Sequence, residues 1–134
     1  METDSIISAI NEIHKKANEA LQNKDAVGYA TIFDESLQYT LGDGKTLNKR
    51  DYSYDLAQLL KSAKSYETSH YRIKSSTEND VFTEKIARKS VIIKPNLLFF
   101  TKKQTIQTEE VYHWKSIRGE WKVIAVEVVL EEKY

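Results

Sequence analysis

The apolar residues of the first part of the chain recur every three or four positions, a spacing that places them on one face of a helix. Residues 4 to 22 show this pattern, and Asp4 or Ser5 can cap the helix start. A second helix is expected to start after Asn23 and to end near Asp34. Its expected apolar face consists of Ala26, Val27, Ala30 and Phe33.

The segment "SLQYTLGDGKTL" alternates like a strand and then breaks at Gly42-Asp43-Gly44, where glycine allows a turn with positive φ. Asn48, with Asp51 three residues later, is typical of a capped helix start. A third helix is therefore expected from this cap to about Ser62. Its buried face is expected to contain Tyr52, Leu56, Leu59 and Leu60.

After the third helix, the period of the apolar residues changes from 3.6 to two. Strands are expected at residues 65–76, 81–94, 104–117 and 120–130, each bounded by polar or turn residues. Because the helices come first and the strands follow closely enough to pair as antiparallel neighbours, the pattern predicts an α+β fold. No repeat or linker divides residues 1–134, so a single domain is expected.

The composition agrees with a compact domain, since 40% of the 134 residues are hydrophobic and 30% are charged. The 20 basic and 20 acidic side chains cancel, and no basic stripe is visible, so nucleic acid is not an expected partner. The start "METDSIISAINEI" lacks the pattern of a secretory signal, and no apolar run approaches the roughly 18 residues of a membrane span. A cytoplasmic protein without a membrane partner is expected.

Metal and cofactor sites find no support in the residue pattern. The chain contains no cysteine, and neither His14 nor His70 has a partner at a metal-ligand spacing. No glycine-rich phosphate loop is present. We therefore expect neither a metal nor a cofactor.

Two tryptophans flank a glycine in the pattern Trp114-x4-Gly119-x-Trp121, at the last predicted hairpin. With the helix-helix-strand-helix-meander order and the segment "NKDAVGYATIFDESLQYTLGDGKTLNKRDY", this spacing resembles the nuclear transport factor 2-like superfamily, which includes the SnoaL-like polyketide cyclases. The resemblance implies a cystatin-like cone, in which three N-terminal helices pack in the concave face of a strongly curved antiparallel sheet. It also implies a ligand pocket at the open end and dimers formed through the outer face of the sheet.

The last predicted strand is apolar on both alternating faces, one starting at Trp121 and the other at Lys122. A face exposed to water should carry polar residues, so the outer face needs a cover, for which a homodimer is the simplest source. The alternative cover is the N-terminal segment or a long loop. The predicted interface consists of Ile124, Val126, Val128 and Leu130, and "NLLFF" after Pro95 is a second candidate for a subunit contact.

Glu127 and His113 are the candidate catalytic residues. The resemblance places the face of Trp121 inside the cone, so Glu127 is expected to reach the pocket, where a carboxylate can shuttle a proton. The alternative is that this carboxylate pairs with a cation or reaches solvent at the rim. A three-residue loop with Gly119 at a bulge would bring His113 to the inside, whereas a two-residue turn would place Tyr112 there. The loop sequence favours the first form, while a satisfied polar strand residue is the simpler alternative for His113.

Aromatic residues near the implied cavity could line it, although such rings are more often part of a core. The first-strand carboxylate base of a ketosteroid isomerase would fall among Tyr39, Thr40 and Leu41, and none of these residues is a carboxylate. Isomerase activity of this type is therefore not favoured. The sequence favours a homodimeric binding or association module with an apolar pocket for a hydrophobic small molecule. The alternatives are a SnoaL-like enzyme for acid-base isomerisation, dehydration or cyclisation, and a protein-interaction adaptor. The predicted pocket residues are Trp121, Tyr112, Tyr39, Tyr29, Tyr54 and Phe33.

Overall fold

A computed structural model describes residues 2–96 and 100–134. The first half contains two helices, two strands and a third helix, and four long strands follow. The elements are α1 (Glu2–Gln22), α2 (Ala26–Ala30), β1 (Phe33–Thr40), β2 (Thr46–Leu47), α3 (Lys49–Ser62), β3 (Ser65–Glu78), β4 (Val81–Asn96), β5 (Phe100–Ile117) and β6 (Glu120–Lys133).

The described residues form one six-stranded sheet with the order β2-β1-β6-β5-β4-β3. Neighbouring strands are antiparallel except for β1 and β6, which run parallel. The helices pack against one face of this sheet and bury Ile10, Ala17 and Leu21 of α1 in the core. The α+β fold expected from the sequence is thus confirmed. In the described part of the chain, no helix combines the length and the apolar composition that a membrane crossing needs.

The third helix begins as expected, because the Asn48 side chain accepts a hydrogen bond of 2.8 Å from the backbone N–H of Asp51. The second helix is shorter than expected and ends at Ala30 instead of near Asp34. The chain leaves the helix because Phe33 starts β1, and the N–H of Val123 donates to the carbonyl of Ile32. Val27, assigned to the buried face of this helix, is instead 80% exposed.

The turn between β5 and β6 has two residues. Ile117 pairs directly with Glu120, and both central residues have positive φ, 55° for Arg118 and 82° for Gly119. These angles are those of a tight hairpin turn whose twist matches the strands. The prediction of a three-residue loop between these strands is therefore wrong.

Two bulges interrupt the alternation of β6. His113 pairs with Ala125 but Trp114 pairs with Val123, so Ile124 is an extra residue. Val129 is a second extra residue, because Glu110 pairs with Val128 and Glu109 with Leu130. One extra residue reverses which side chains point inward. Val126 is consequently completely buried in the core, and Val128 also faces inward. The predicted subunit interface is therefore wrong for Val126 and Val128, because both side chains point into the core instead of outward.

The second candidate for a subunit contact, "NLLFF", falls largely outside the described residues. Leu97, Leu98 and Phe99 belong to the part that the structure does not describe. Phe100 is described and has an exposed side chain.

Candidate functional site

A cavity of about 150 Å³ lies between the helices and the concave face of the sheet. Tyrosine rings form much of its wall, and an arginine and a glutamate from neighbouring strands also reach it. The tyrosines are Tyr29, Tyr39, Tyr52 and Tyr66; the apolar wall consists of Leu21, Leu41, Leu56, Ile106 and Val128; and the polar residues are Arg88, Ser90, Thr108, Glu110 and Glu131.

The carboxylate of Glu110 is buried and held by three neighbours. Thr108 donates its hydroxyl to Oε2 at 2.6 Å, and Tyr112 donates its hydroxyl to Oε1 at 2.9 Å. The Nε of Arg88 lies 3.5 Å from Oε1, and both charged side chains are more than nine-tenths buried. These contacts fix the position of both carboxylate oxygens, an arrangement suited to anchoring a ligand.

Arg88 is tied to the helices as well as to the sheet. Its Nη1 donates to Oδ1 of Asn18 at 3.0 Å and to the hydroxyl of Thr68 at 2.9 Å. Burial opposes the charged form of Arg88, but the neighbouring Tyr112 and Glu110 outweigh burial and raise its pKa well above its usual range. The cavity therefore contains a permanent cation beside a carboxylate.

The tyrosines of the cavity are stacked and neutral. The rings of Tyr39 and Tyr52 lie with their centroids 3.8 Å apart and nearly parallel, at an angle of 13°. Burial raises the pKa of Tyr39, Tyr52 and Tyr112 well above the usual range, so their hydroxyls keep their protons. These hydroxyls can therefore act as hydrogen-bond donors, as that of Tyr112 does towards Glu110.

A second buried polar cluster lies under α1, around Glu84. Its Oε2 is 2.7 Å from Nε2 of His14 and accepts a hydrogen bond of 2.6 Å from the indole N–H of Trp114. The Nε of Arg72 donates to Oε1 at 2.9 Å. Burial disfavours the charge of Glu84, but these partners outweigh it and hold the pKa of Glu84 below its usual value. The cluster fixes α1 to strands β3, β4 and β5.

Asn18 connects the two clusters through its side-chain amide. Its Nδ2 lies 3.0 Å from Nδ1 of His70, while its Oδ1 accepts from Arg88. Burial lowers the pKa of His70 to about 4, and the nearby charges of His14 and Arg88 act in the same direction. A neutral His70 can accept the hydrogen bond of the amide. Within the described residues, no group of three or more histidine, aspartate or glutamate side chains could hold a metal ion.

The neutral state of His70 predicts a loss of stability in mild acid. The unfolded chain takes up a proton at the ordinary histidine pKa of 6.5, whereas the folded chain does so only near pH 4. Stability is therefore fully present above pH 6.5 and falls as the pH drops from 6.5 towards 4. We expect a loss of about 1–2 kcal/mol in the free energy of unfolding, a value reduced for a partly exposed ring. Urea denaturation measured over this pH range tests the expectation.

A matched pair of variants separates His70 from the other titrating groups. His70→Gln keeps a hydrogen-bond acceptor for Asn18 and should flatten the pH dependence between 6.5 and 4.5. His113→Gln removes a histidine from the outer face of the sheet and should leave the dependence unchanged. An identical pH profile for wild type and His70→Gln would contradict the assignment.

The predicted catalytic residues His113 and Glu127 are neighbours, but they lie on the outer face. His113 Nε2 is 3.7 Å from Oε1 of Glu127, whose side chain is 56% exposed, and His113 Nδ1 contacts the Thr83 hydroxyl at 3.0 Å. The pocket placement of both residues is wrong. The two-residue turn directs His113 outward, and the bulge at Ile124 does the same for Glu127.

Only some of the predicted pocket residues lie at the cavity. Tyr29 and Tyr39 line the cavity, and Tyr112 and Phe33 are buried directly behind its wall. Trp121 packs on the core but lines a surface groove beside α1. Tyr54 is 65% exposed on α3, so its assignment to the pocket is wrong.

Arg88, Glu110 and Glu84 were not anticipated, although the sequence contains a signal for them. Glu84 and Arg88 alternate in β4 with the buried Phe82 and Ile86, so they lie on the same face of the strand. Charged residues in phase with core residues indicate buried polar groups. The same parity places Glu110 between Thr108 and Tyr112 in β5.

The curved sheet, the packed helices and the cavity between them define a domain of the cystatin-like fold. A cystatin-like domain of unknown function from Nostoc punctiforme is similar in structure, with a TM-score of 0.70 and 12% identity over 90% of this chain and 74% of that one. A conserved protein from Planctomyces limnophilus matches over 100% of both chains, with a TM-score of 0.84 and 10% identity.

An enzyme is also among the similar structures. A hexachlorocyclohexane dehydrochlorinase (LinA) type 2 has a TM-score of 0.76 and 12% identity over 100% of this chain and 93% of that chain. No protein-family model and no curated protein sequence matches this chain. At these identities, the similarities define the fold and leave the chemistry to the residues of the cavity.

Proposed function

We propose that this protein is a homodimeric small-molecule-binding domain whose ligand occupies the cavity inside the cone. The observation that carries the proposal is the buried pair of Arg88 and Glu110, which opens onto a cavity walled by tyrosines. Apolar surface with a few convergent polar groups is typical of ligand sites.

The energetics of the charged pair support a functional role. Burying two charges costs free energy that their attraction offsets only partly, and apolar residues of similar size are often at least as stabilising. The pair of Arg88 and Glu110 is therefore expected to add little to the free energy of unfolding compared with apolar residues. Charged groups that border a cavity can instead orient a ligand, and this use would explain their position.

The hydrogen bonds of Glu110 favour binding over acid-base catalysis. Thr108 donates to one oxygen of this carboxylate and Tyr112 to the other, so both oxygens are held in fixed positions, as the anchoring of a ligand requires. His113 and Glu127, the residues for which a proton-transfer role was expected, are outside the cavity. The cavity thus favours a ligand that is held without being transformed.

Filling the cavity should abolish binding. Val128 lines it, so the larger ring of Val128→Phe would occupy the space of the ligand. In a thermal-shift screen of ring-sized compounds, hits should stabilise the wild type, by about 2.7 kcal/mol at a concentration of 100 times Kd. The same compounds should have no effect on Val128→Phe.

The neighbouring Val129→Phe is the matched control, because Val129 is half exposed and does not line the cavity. This variant should bind the same compounds as the wild type does. Equal binding by Val128→Phe and wild type would contradict the location of the site.

The homodimer would use the outer face of the sheet. Tyr71, Ala87, Glu109 and Leu130 are directly opposite one another on four adjacent strands and line a groove of about 420 Å³. Tyr71 is 68% exposed and Leu130 is 46% exposed. Exposed apolar side chains grouped in this way are typical of contact surfaces, which supports a subunit interface there.

Leu130→Lys should convert the dimer to a monomer, because it places a charge in an apolar contact. Within one subunit, the new lysine would be opposite Glu109, so the fold should tolerate it. Size-exclusion chromatography with light scattering at micromolar concentration measures the change. Val27→Lys, on the exposed side of α2, is the control and should remain dimeric. A monomeric wild type would contradict the proposed dimer.

A further inference from the structure

We infer that the ligand of the cavity is a neutral, ring-sized molecule that presents a hydrogen-bond donor to Glu110 and an adjacent acceptor to Arg88. This inference rests on the proposed function, because it assigns a chemical class to the ligand of the same site. Three properties of the cavity support it: its volume, its balance of charge and the remaining hydrogen-bonding capacity of the two charged groups.

The volume restricts the ligand to about one ring. A cavity of about 150 Å³ is close to that of an engineered protein cavity that admits benzene. The stacked rings of Tyr39 and Tyr52 form one wall. Tyrosine faces pack well against a flat aromatic ring, through both dispersion and apolar burial. A single aromatic ring with a small substituent matches this volume.

The two buried charges of the cavity cancel each other without a ligand. Arg88 contributes one positive charge and Glu110 one negative charge, and the buried tyrosines are neutral. An anionic or cationic ligand would add a buried charge without a partner, which is strongly unfavourable. Glu131 also lines the cavity, but its side chain is 40% exposed and lies 3.8 Å from Nζ of Lys133, so it does not change the balance of the buried charges. A neutral ligand leaves this balance unchanged.

Glu110 and Arg88 line the cavity, and both have hydrogen-bonding capacity that their contacts within the protein do not use. A carboxylate has about four acceptor sites, and the hydroxyls of Thr108 and Tyr112 use two of those of Glu110. In Arg88, Nη1 donates to Asn18 and Thr68, and Nε faces Glu110. Within residues 2–96 and 100–134, these contacts leave Nη2 for an outside acceptor.

Because Glu110 and Arg88 both line the cavity and lie within 3.5 Å of each other, a hydrogen-bond acceptor and a hydrogen-bond donor are adjacent there. A primary amide or a similar neutral group presents a donor and an acceptor at a matching separation and satisfies both. A hydrocarbon ring would leave both sites without a partner after water is displaced. The pair therefore discriminates between ligands of equal size by polarity.

Benzamide, benzoate and benzamidinium test this inference, because the three probes share one shape and differ in charge. Isothermal titration with the full chain should show benzamide binding at least about tenfold tighter than either charged probe, the ratio expected when one buried polar group loses its partner. Toluene should also bind more weakly than benzamide. This comparison uses the wild-type protein and needs no variant.

Glu110→Gln provides an independent arm, because it leaves the charge of Arg88 uncompensated. Its preference should change from benzamide to benzoate. Glu35→Gln removes the same charge from an exposed side chain of β1 that does not line the cavity, and it should keep the wild-type preference. Circular dichroism checks that both variants are folded. If Glu110→Gln does not fold, the comparison of the probes on the wild type tests the preference for a neutral ligand by itself.

The outcomes separate the inference from the proposed function. If toluene binds the wild type but not Val128→Phe, and benzamide binds no better than toluene, the site exists and the inference is overturned. Tightest binding by benzoate or benzamidinium also overturns the inference. If no ring-sized compound binds in a manner sensitive to Val128→Phe, the proposed function itself fails.

Discussion

Glu84→Gln should lower the free energy of unfolding by about 3–5 kcal/mol, the cost of breaking a buried ion pair. The Glu84 carboxylate accepts from Arg72 and Trp114 and contacts His14, and its side chain is completely buried. Glutamine keeps the size but removes the charge, and its amide group would point N–H donors at other donors. Urea denaturation followed by tryptophan fluorescence measures the loss, since Trp114 is part of the cluster.

Glu35→Gln is the matched control for this experiment. Glu35 is paired with Lys49 at 3.0 Å, and its side chain is 89% exposed. Removing such a pair should cost less than about 1 kcal/mol. Equal losses for the two variants would show that the cluster under α1 is not a buried ionic centre.

Arg88→Met should also destabilise the protein by about 3–5 kcal/mol, because Glu110 would remain buried without its cation. The double variant Arg88→Met/Glu110→Leu removes both charges and should recover most of this loss. Thermal or urea unfolding of the two single variants and the double variant gives the coupling free energy. Strictly additive losses would contradict a coupled pair.

The recovery in the double variant has a functional counterpart. If apolar residues can replace Arg88 and Glu110 at little cost, the pair is not required for folding. The double variant should then be folded and should have lost the preference of the cavity for polar ligands. Stability and binding would thus be separated in one molecule.

Periodicity made most of the architecture predictable. The first helix, the capped start of the third helix and the four long strands follow from spacings of 3.6 and two residues. The parallel pairing of β1 with β6 was not predictable, because it joins distant segments of the chain. The second helix was predicted, but its early end at Ala30 was not, since Phe33 fits a helical spacing but pairs with Val123 in the sheet.

The faces of β6 could not be read from the sequence for a physical reason. Valine and isoleucine occupy both parities of this strand, so the pattern contains no signal for the bulge at Ile124. The bulge decides that Val126 is buried and that Glu127 is exposed. In β4, by contrast, Glu84 and Arg88 share the parity of Phe82 and Ile86, so the sequence contains a signal for these buried polar groups, although they were not predicted.

Intermolecular nuclear Overhauser effects with bound benzamide test the central claim most directly, because they locate the ligand atom by atom. We expect contacts from the ring protons of benzamide to the methyl groups of Val128 and to the rings of Tyr39 and Tyr52, which line the cavity. Contacts to Leu130 and Tyr71 instead would place the ligand in the groove of the outer face and contradict a binding site inside the cone.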